Sequence, residues 1–528
     1  MRPHNKWLVA LSVTFGTMMG TIDAAIVNVA MPHLRGAVGA TVQEITWVST
    51  SFVLATVLVM PLTAFMGRLF GQKRFYLFCL SLFLVGSVLC GMARSLTALV
   101  IFRVVQGLGA GALLPTEQAI LRQTFPPEEQ GVAMSFFGMA VMVGPALGPS
   151  LGGLILDSWP WPWIFYVNVP VGLLGLFMVH RFVHDPEDIA AYNRKMAASQ
   201  RKNLDWAGIA LVAVGLGSLQ YVLEEGERFD WFASPRIAVF AFVSVFSLAA
   251  FAIRELTASV PAVHLGLLRH RRFSAGATVN AVTYAMLFSV TFLLPVFMQE
   301  LLGYSATQTG IYLMPRALVM FVTTAIVGRI YNRVSPRALI ALGMGLFAVA
   351  AYQMGHYTLD TSHTGILAAL ILQGIGFGCV YVPASTLALS NIPREKLADA
   401  AGLNALLAQI FGSTGLALFA MLIGRFGASA RAAVNAHVLE GRIDVRARLD
   451  HFSQLYEAHG RDAVSAHRAA GRAFSELISR QAMMLVFDKL FLLAGMCLVA
   501  LLPLLLLLRK GPPLANVASS GQTSVVET

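Results

Sequence analysis

Long apolar segments alternate with short polar ones along almost the whole chain. Each apolar segment is long enough to cross a bilayer as a helix, which takes roughly 20 residues, and the chain contains about fourteen of them. The predicted spans lie at approximately 7–31, 45–66, 75–94, 98–121, 130–155, 162–182, 204–224, 237–256, 274–298, 306–330, 336–356, 364–390, 400–423 and 484–508. The pattern therefore predicts an all-α integral membrane protein.

The two halves of this pattern repeat. Residues 106–115 read Gln-Gly-Leu-Gly-Ala-Gly-Ala-Leu-Leu-Pro, and residues 373–383 read Gln-Gly-Ile-Gly-Phe-Gly-Cys-Val-Tyr-Val-Pro. Pro126 and Pro393 follow these segments with the same offset of about 267 residues. Internal repeats in an apolar chain are typical of secondary transporters, in which the substrate site lies near the membrane midplane between the halves.

The repeat also predicts the domain organisation. It pairs the fourth span with the twelfth, so the first six spans correspond to the last six, and the seventh and eighth are an insertion. We predict an N-terminal six-helix bundle (1–183), a linker with two additional transmembrane helices (184–271), a C-terminal six-helix bundle (272–510) and a disordered cytoplasmic tail (511–528). The C-terminal bundle includes an extracytoplasmic loop (424–482), whose nine arginines and helically spaced apolar residues predict amphipathic helix.

The distribution of basic residues predicts the orientation. With the N-terminus inside, the cytoplasmic segments hold about 22 Lys and Arg residues, against about 4 in the short outer loops, in keeping with the positive-inside rule. Both termini are therefore predicted to be cytoplasmic, with the chain in the cell inner membrane. The formal net charge of +11 comes mostly from the inner loops, and no basic domain indicates nucleic-acid binding.

Composition and motifs exclude several function classes. With 57% hydrophobic and 12% charged residues, the 528-residue chain is not a soluble globular protein. Its four cysteines are dispersed among the spans and predict neither a disulfide framework nor a zinc site. No P-loop or hydrolase motif is present, so we predict no enzymatic activity, no cofactor and no use of ATP. An ion gradient is the remaining source of energy.

Two charged residues within the spans are candidates for proton coupling. Asp23 is the only charged residue between Trp7 and Met31, and a carboxyl at bilayer depth is costly and usually serves transport. Arg103 in the fourth span is expected to lie at the same depth, where its guanidinium can pair with the carboxylate. We predict that both residues couple proton movement to transport. A salt bridge that only locks the helices together is the alternative.

A third candidate lies deeper on the same predicted helix as Arg103. Glu117 follows Arg103 by about 21 Å along the helix axis and lies within about 40° of the same face. It can form an inner proton site or gate. The alternative is an interfacial, solvated acid near the end of the helix.

Other polar side chains within the spans are candidates for the substrate cavity. Arg316 lies in the middle of the tenth span, where a cation is costly and should face a cavity, with structural pairing as the alternative. Asn28, Gln106 and Gln373 are further candidate cavity residues.

The fifth span combines glycines at four-residue spacing with two prolines. A glycine face lets another helix approach closely, and each proline removes a backbone donor and should bend the helix. The residues are Gly144, Pro145, Gly148, Pro149, Gly152 and Gly153. They predict a tightly packed helix that moves during transport.

Together these motifs resemble the major facilitator superfamily, in particular its fourteen-span drug:proton antiporter branch and the EmrB-like exporters. The matching segments are Asp23-Ala24-Ala25-Ile26-Val27-Asn28-Val29-Ala30-Met31-Pro32, Pro61-Leu62-Thr63 through Gly71-Gln72-Lys73-Arg74, Arg103-Val104-Val105-Gln106-Gly107, Gly144-Pro145 through Gly152-Gly153, Trp163-Ile164-Phe165-Tyr166-Val167-Asn168-Val169-Pro170 and Asp230-Trp231-Phe232. The resemblance covers nearly the whole chain. It implies the major facilitator fold, with two six-helix bundles plus two inserted helices.

The resemblance also implies a gating role for the inner loop after the second span, at Arg68, Gly71, Lys73 and Arg74. This chain departs from the family pattern at two positions of the loop. The family usually has an acidic residue where Arg68 stands, and a glycine where Ala64 stands. We therefore expect the usual acid–base latch of this loop to differ here.

The function implied by the resemblance is proton-driven export of hydrophobic or amphipathic compounds by alternating access, with protons moving inward. The implied partners are the lipid bilayer, a periplasmic membrane-fusion adaptor and an outer-membrane channel, with the loop at 424–482 as a candidate contact. One alternative is the export of a specific metabolite or fatty acid by the same mechanism. A non-transporting sensor is another, and Asp23 and the glycine–proline helix argue against it.

Overall fold

The computed structural model describes residues 5–202, 205–258, 261, 263–390, 392–437, 443–460 and 462–507. Within these ranges the regular secondary structure is entirely helical. Thirteen of the described helices are long and apolar enough to cross a membrane. A further helix of 29 residues, Gln130–Ser158, occupies the position of the predicted fifth span. The predicted disordered tail at 511–528 lies outside the described residues.

Six long helices form the N-terminal bundle. They are α1 (Lys6–Val38), α2 (Gln43–Phe70), α3 (Gln72–Gly91), α4 (Leu96–Thr124), α5 (Gln130–Ser158) and α6 (Trp163–Phe182). α1 packs against α4, α5 and α6, while α4 also packs against α2 and α3. α1 and α4 therefore share the centre of the bundle, which brings together the polar residues that they carry.

The inserted segment follows as α7 (Glu187–Lys202), α8 (Trp206–Glu225) and α9 (Pro235–Thr257). The C-terminal bundle then contains α10 (Arg271–Leu301), α11 (Ala306–Ile330), α12 (Pro336–Met354), α13 (His363–Ala388), α14 (Leu397–His437), α15 (Ile443–Ala458) and α16 (Ala463–Val499). α8 packs against α2 and α14, and Gln220 donates from Nε2 to Ser413 Oγ on α14 at 2.9 Å. The inserted hairpin therefore lies against the seam between the two bundles.

The segment at 424–482, for which the sequence predicts amphipathic helix, is largely helical in its described residues. α14 continues for 41 residues to His437, and α16 begins at Ala463, well before the expected start of the last span. Ala466, Ala470 and Phe474 recur at four-residue spacing and are buried, and α16 packs against α15 along this part of the chain. The amphipathic pattern is therefore satisfied within the protein, because the apolar faces of these helices cover one another.

The two bundles contact each other on the side where α1 begins, which is the predicted cytoplasmic side. Arg68 of α2 forms an ion pair with Asp399 of α14, and Arg394 donates from Nη2 to the Gln123 carbonyl oxygen at 2.9 Å. On the other seam, a Cβ at Gly131 of α5 would lie 2.5 Å from Tyr331 Cβ of α11. The molecule is thus closed on this side.

Candidate functional site

Asp23 lies at the centre of a buried hydrogen-bond network inside the N-terminal bundle. Its Oδ2 accepts a hydrogen bond from Arg103 Nη1 at 2.6 Å, and its Oδ1 accepts from Gln106 Nε2 and from Asn168 Nδ2, each at 2.8 Å. Ser87 Oγ accepts from both amides, at 3.2 Å and 3.0 Å. Asp23 is 0% exposed. The structure thus brings Asp23 and Arg103 together at one depth.

Arg103 makes three further contacts besides its ion pair with Asp23. Its Nε donates to the Val48 carbonyl oxygen at 3.0 Å, its Nη1 also donates to Gln106 Oε1 at 2.7 Å, and its guanidinium lies over the Phe52 ring, 4.1 Å from the centroid. Guanidinium–carboxylate pairs of this kind are charge-assisted and short. The pair is therefore a fixed part of the bundle core, formed by α1, α2, α4 and α6.

The Asp23 carboxylate is surrounded by hydrogen-bond donors. The three atoms that contact it belong to a guanidinium and two amide groups, and all three donate to it. The network therefore satisfies a buried carboxylate and links α1 to α4 and α6.

Two residues predicted for the substrate cavity lie within the bundles in this structure, and the sequence analysis did not single out two members of the Asp23 network, Asn168 and Ser87. Gln106 and Gln373 are at most 1% exposed and lie inside their own bundles. Gln106 donates a hydrogen bond to Asp23, and Gln373 donates from Nε2 to Met354 Sδ at 3.4 Å. For Asn168, a polar amide within the aromatic run at 163–170, at membrane depth, was the available signal.

Glu117 occupies a different environment from Asp23. It is 0% exposed, so the alternative of a solvated, interfacial acid is wrong. One carboxyl oxygen accepts a hydrogen bond from Thr14 Oγ1 of α1 at 3.0 Å, and Oε2 has no partner among the described residues. Tyr76 of α3 and Tyr381 of α13 lie within electrostatic range of it, whereas no cation within the described residues pairs with it. Such a site favours a neutral, protonated carboxyl.

Arg316 and Asn28 lie further from the closed side of the molecule, Arg316 in the first half of α11 and Asn28 in the second half of α1. Arg316 is 6% exposed and donates from Nη2 to Thr291 Oγ1 of α10 at 2.9 Å. Asn28 is exposed on α1 and accepts a hydrogen bond from Ser49 Oγ of α2 at 3.0 Å. These two remain candidate substrate contacts.

The inner loop makes a buried ion pair across the two bundles. Arg68 Nη1 donates to both carboxylate oxygens of Asp399, each at 2.7 Å, and His264 Nδ1 lies 3.1 Å from Asp399 Oδ1. The basic residue that departs from the family pattern thus has an acidic partner on α14. Among the described residues, no group of three or more His, Cys, Asp or Glu side chains is arranged to hold a metal ion.

The rest of the inner loop contacts only the N-terminal half of the chain through the hydrogen bonds described here. Gly71 adopts φ +88, a conformation that favours glycine, and the backbone N–H of Lys73 donates to Asp185 Oδ1 at 3.0 Å. Lys73 Nζ also donates to the His180 carbonyl oxygen at 2.7 Å. Burial raises the pKa of Asp185, although the Lys73 backbone hydrogen bond and the charges of Lys73 and Arg74 oppose this.

The glycine face of α5 packs directly on α1. A Cβ at Gly144 would collide with the backbone of Thr21, and one at Gly148 would collide with Ala25 Cβ, whereas one at Gly152 would make ordinary contacts with Ile26 at 3.5 Å. A Cβ at Gly153 would meet nothing within 4 Å. α5 is continuous through Pro145 and Pro149, whose side chains lie outside the described part of the structure.

We expect Gly148→Ala to destabilise the protein by about 1–3 kcal/mol through overpacking between α5 and α1, and to slow transport. Thermal unfolding of the purified protein and transport in vesicles measure the two effects. Gly153→Ala is the matched control on the same helix and should change neither. Equal behaviour of the two variants would contradict the proposed role of the glycine face.

Comparisons with known proteins agree with this architecture. Residues 13–416 match the family model described as Major Facilitator Superfamily. The chain is 35% identical over 413 residues to the multidrug export protein EmrB of Haemophilus influenzae, covering 78% of this chain and 79% of that protein. It is also 29% identical over 505 residues to the fatty acid resistance protein FarB of Neisseria gonorrhoeae, covering 96% of each.

Solved structures show the same fold. The human organic anion transporter MFSD10 (TETRAN) aligns with a TM-score of 0.57 at 16% identity, covering 94% of this chain and 99% of that one. The proton:xylose symporter XylE aligns with a TM-score of 0.56 at 13% identity, covering 93% and 94%. At these identities the likeness concerns the fold alone.

Proposed function

This chain belongs to the major facilitator superfamily, and we propose that it is a proton-coupled antiporter that exports hydrophobic and amphipathic compounds by alternating access. The observation that carries the proposal is Glu117, a fully buried carboxyl without a counter-ion close to the contact between the two bundles. The names of the relatives supply the substrate class. We propose no catalytic activity and no cofactor, with the proton as the coupling ion.

We propose a division of roles among the predicted coupling residues. The Asp23–Arg103 ion pair fixes α1 against α4, since the guanidinium and two amide groups donate to the buried carboxylate. This positions Thr14 of α1 against Glu117 of α4. The Thr14 hydroxyl can donate or accept, so it tolerates both protonation states of Glu117.

Glu117 then carries the proton between the two sides of the membrane. Tyr381 of α13 lies near Glu117 and stacks on Phe137 of α5, with centroids 6.2 Å apart, so parting of the bundles on the cytoplasmic side would open this region. Water reaching Glu117 would stabilise its charged form and release the proton inward. Closure and desolvation would favour reloading from the outer side, which couples proton entry to export.

The Arg68–Asp399 pair serves as the cytoplasmic latch in this scheme. Arg68→Gln should weaken the closed state, because it leaves the Asp399 carboxylate buried without its cation, and should increase labelling of a cysteine placed at Ser135 on the closed seam. The double variant Arg68→Asp/Asp399→Arg should restore protection. Unchanged labelling in Arg68→Gln would rule out the latch.

Transport by the purified protein in vesicles tests the proposed function. An imposed pH gradient should drive accumulation of several chemically unrelated apolar dyes, and an uncoupler should abolish it. Movement of a single compound class would favour the alternative of a specific metabolite or fatty acid exporter, which the full-length similarity to FarB supports. Gradient-independent fluxes would contradict proton coupling.

We further propose that the protein lies in the cell inner membrane with both termini in the cytoplasm. A periplasmic membrane-fusion adaptor and an outer-membrane channel would complete the export route. The helical segment formed by the end of α14, α15 and the start of α16 lies on the predicted outer side and is the proposed contact. Cross-linking from exposed positions of α15 in whole cells tests this, and capture of no adaptor would contradict it.

A further inference from the structure

We propose that Arg316, with the face of α10 that it reaches, binds the negatively charged headgroup of an amphiphilic substrate whose apolar tail lies along that face. This inference rests on the export function proposed above and specifies a substrate class for it. The chemistry is that of a singly charged organic anion, such as a carboxylate or sulfonate, with an alkyl or aromatic body.

The relevant face of α10 begins at the contact between the bundles. Tyr284, Phe288 and Thr291 follow one another at spacings of four and three residues, and therefore lie on one stripe of the helix. At the closed end of the stripe, Tyr284 packs on Tyr381 with ring centroids 5.8 Å apart, and Tyr381 stacks on Phe137 of the other bundle. The stripe thus begins at the contact between the bundles.

Exposure increases along this stripe away from the closed side. Tyr284 is 9% exposed, Phe288 is 37% exposed and Thr291 is exposed as well. A stripe that starts buried between two bundles and becomes exposed further along is what a gap open on the other side produces. Arg316 reaches Thr291, so its guanidinium lies where the stripe becomes accessible.

Arg316 has no acidic partner among the described residues, unlike Arg103 and Arg68. Arg103 pairs with Asp23 and Arg68 pairs with Asp399. Within the described residues, Arg316 donates one hydrogen bond, to a neutral hydroxyl, and no carboxylate lies within 4.0 Å of it. No ion pair with a described residue therefore accounts for this cation. A guanidinium withdrawn from water binds an anion strongly, because the low local dielectric strengthens the charge-assisted hydrogen bonds.

The surroundings suit an amphiphile better than a small inorganic anion. The exposed ring of Phe288 lies one turn from Thr291 on the same stripe, and Tyr284 continues the aromatic surface, with centroids 6.1 Å apart. Arg316 also lies near the middle of α11, away from the depth of lipid headgroups. A charged head at Arg316 would thus leave its tail against aromatic side chains.

Two probes with the same alkyl tail and opposite permanent charges test the site: dodecanesulfonate and dodecyltrimethylammonium. Binding to the purified protein and pH-driven transport in vesicles are measured for wild type, Arg316→Gln, Arg316→Lys and the control Arg329→Gln, which removes an exposed arginine from the same helix. Arg316→Gln should weaken sulfonate binding about tenfold or more without weakening binding of the ammonium probe. Arg316→Lys should retain part of the preference, and Arg329→Gln should behave as wild type.

The outcomes separate the site from the export function. An equal loss for both probes in Arg316→Gln, with Arg316→Lys equally impaired, would assign Arg316 a structural role and overturn the proposal. Unchanged sulfonate binding in Arg316→Gln would overturn it as well. Charge-selective binding in wild type that Arg316→Gln removes, with no transport of either probe, would instead support the site and contradict the proposed export.

Discussion

Glu117→Gln is expected to abolish uphill, proton-driven export while leaving the protein folded and able to bind substrate. Glutamine keeps an oxygen that can accept the hydrogen bond from Thr14, and it resembles the neutral carboxyl that the buried site favours. It cannot release a proton when the site opens. Accumulation under a pH gradient should therefore fall to the level of empty vesicles, whereas substrate exchange without a gradient should continue.

Comparison of gradient-driven accumulation with exchange isolates the coupling step. Glu457→Gln, which changes an exposed carboxyl on α15, is the control and should behave as wild type in both assays. Normal uphill accumulation by Glu117→Gln would remove Glu117 from the proton path. Loss of exchange as well as accumulation would indicate a structural role.

Asp23→Asn is expected to lower stability by about 3–5 kcal/mol, because it leaves the Arg103 guanidinium buried without its counter-charge. Asparagine would also turn an NH₂ group toward one of three donors. Thermal unfolding of the purified protein should show the loss, and export should fall with it. The double variant Asp23→Asn/Arg103→Gln should recover part of the stability, since it removes both charges.

The double variant also distinguishes a structural pair from a proton carrier. Recovery of stability together with proton-driven export would support the division of roles proposed here. Recovery of stability without export would place Asp23 in the proton path, as the sequence alone predicted. Wild-type unfolding of Asp23→Asn would contradict the buried clamp.

Much of the candidate site could be found from the sequence because charge within an apolar span is rare and costly. Asp23, Arg103, Glu117 and Arg316 all stood out for that reason. The glycine spacing of α5 likewise predicted close packing, and a Cβ at Gly144 or Gly148 would collide with α1. These signals are local, so they can be read without knowing which helices are neighbours.

The partners of these residues could not be read in the same way. Gln106 and Gln373 occupy equivalent places in the repeat, yet Gln106 donates a hydrogen bond to the Asp23 carboxylate and Gln373 contacts a methionine sulfur. Arg68 departs from the family pattern, and its partner Asp399 lies far away in sequence. Asn168 joined the Asp23 network only because α6 packs on α1.

The sequence by itself determined the membrane location, the number of spans, the two-bundle repeat and the family, because hydropathy and motif spacing are properties of short segments. It did not determine how far the last two long helices extend. The tertiary structure decided which buried charges are neutralised and which are not. That depends on the rotation and packing of several helices at once. Asp23 and Arg68 acquire ion-pair partners from other helices, whereas Glu117 and Arg316 have hydroxyl partners and no ion pair among the described residues. We assign the proton to Glu117 and the substrate to Arg316 for this reason.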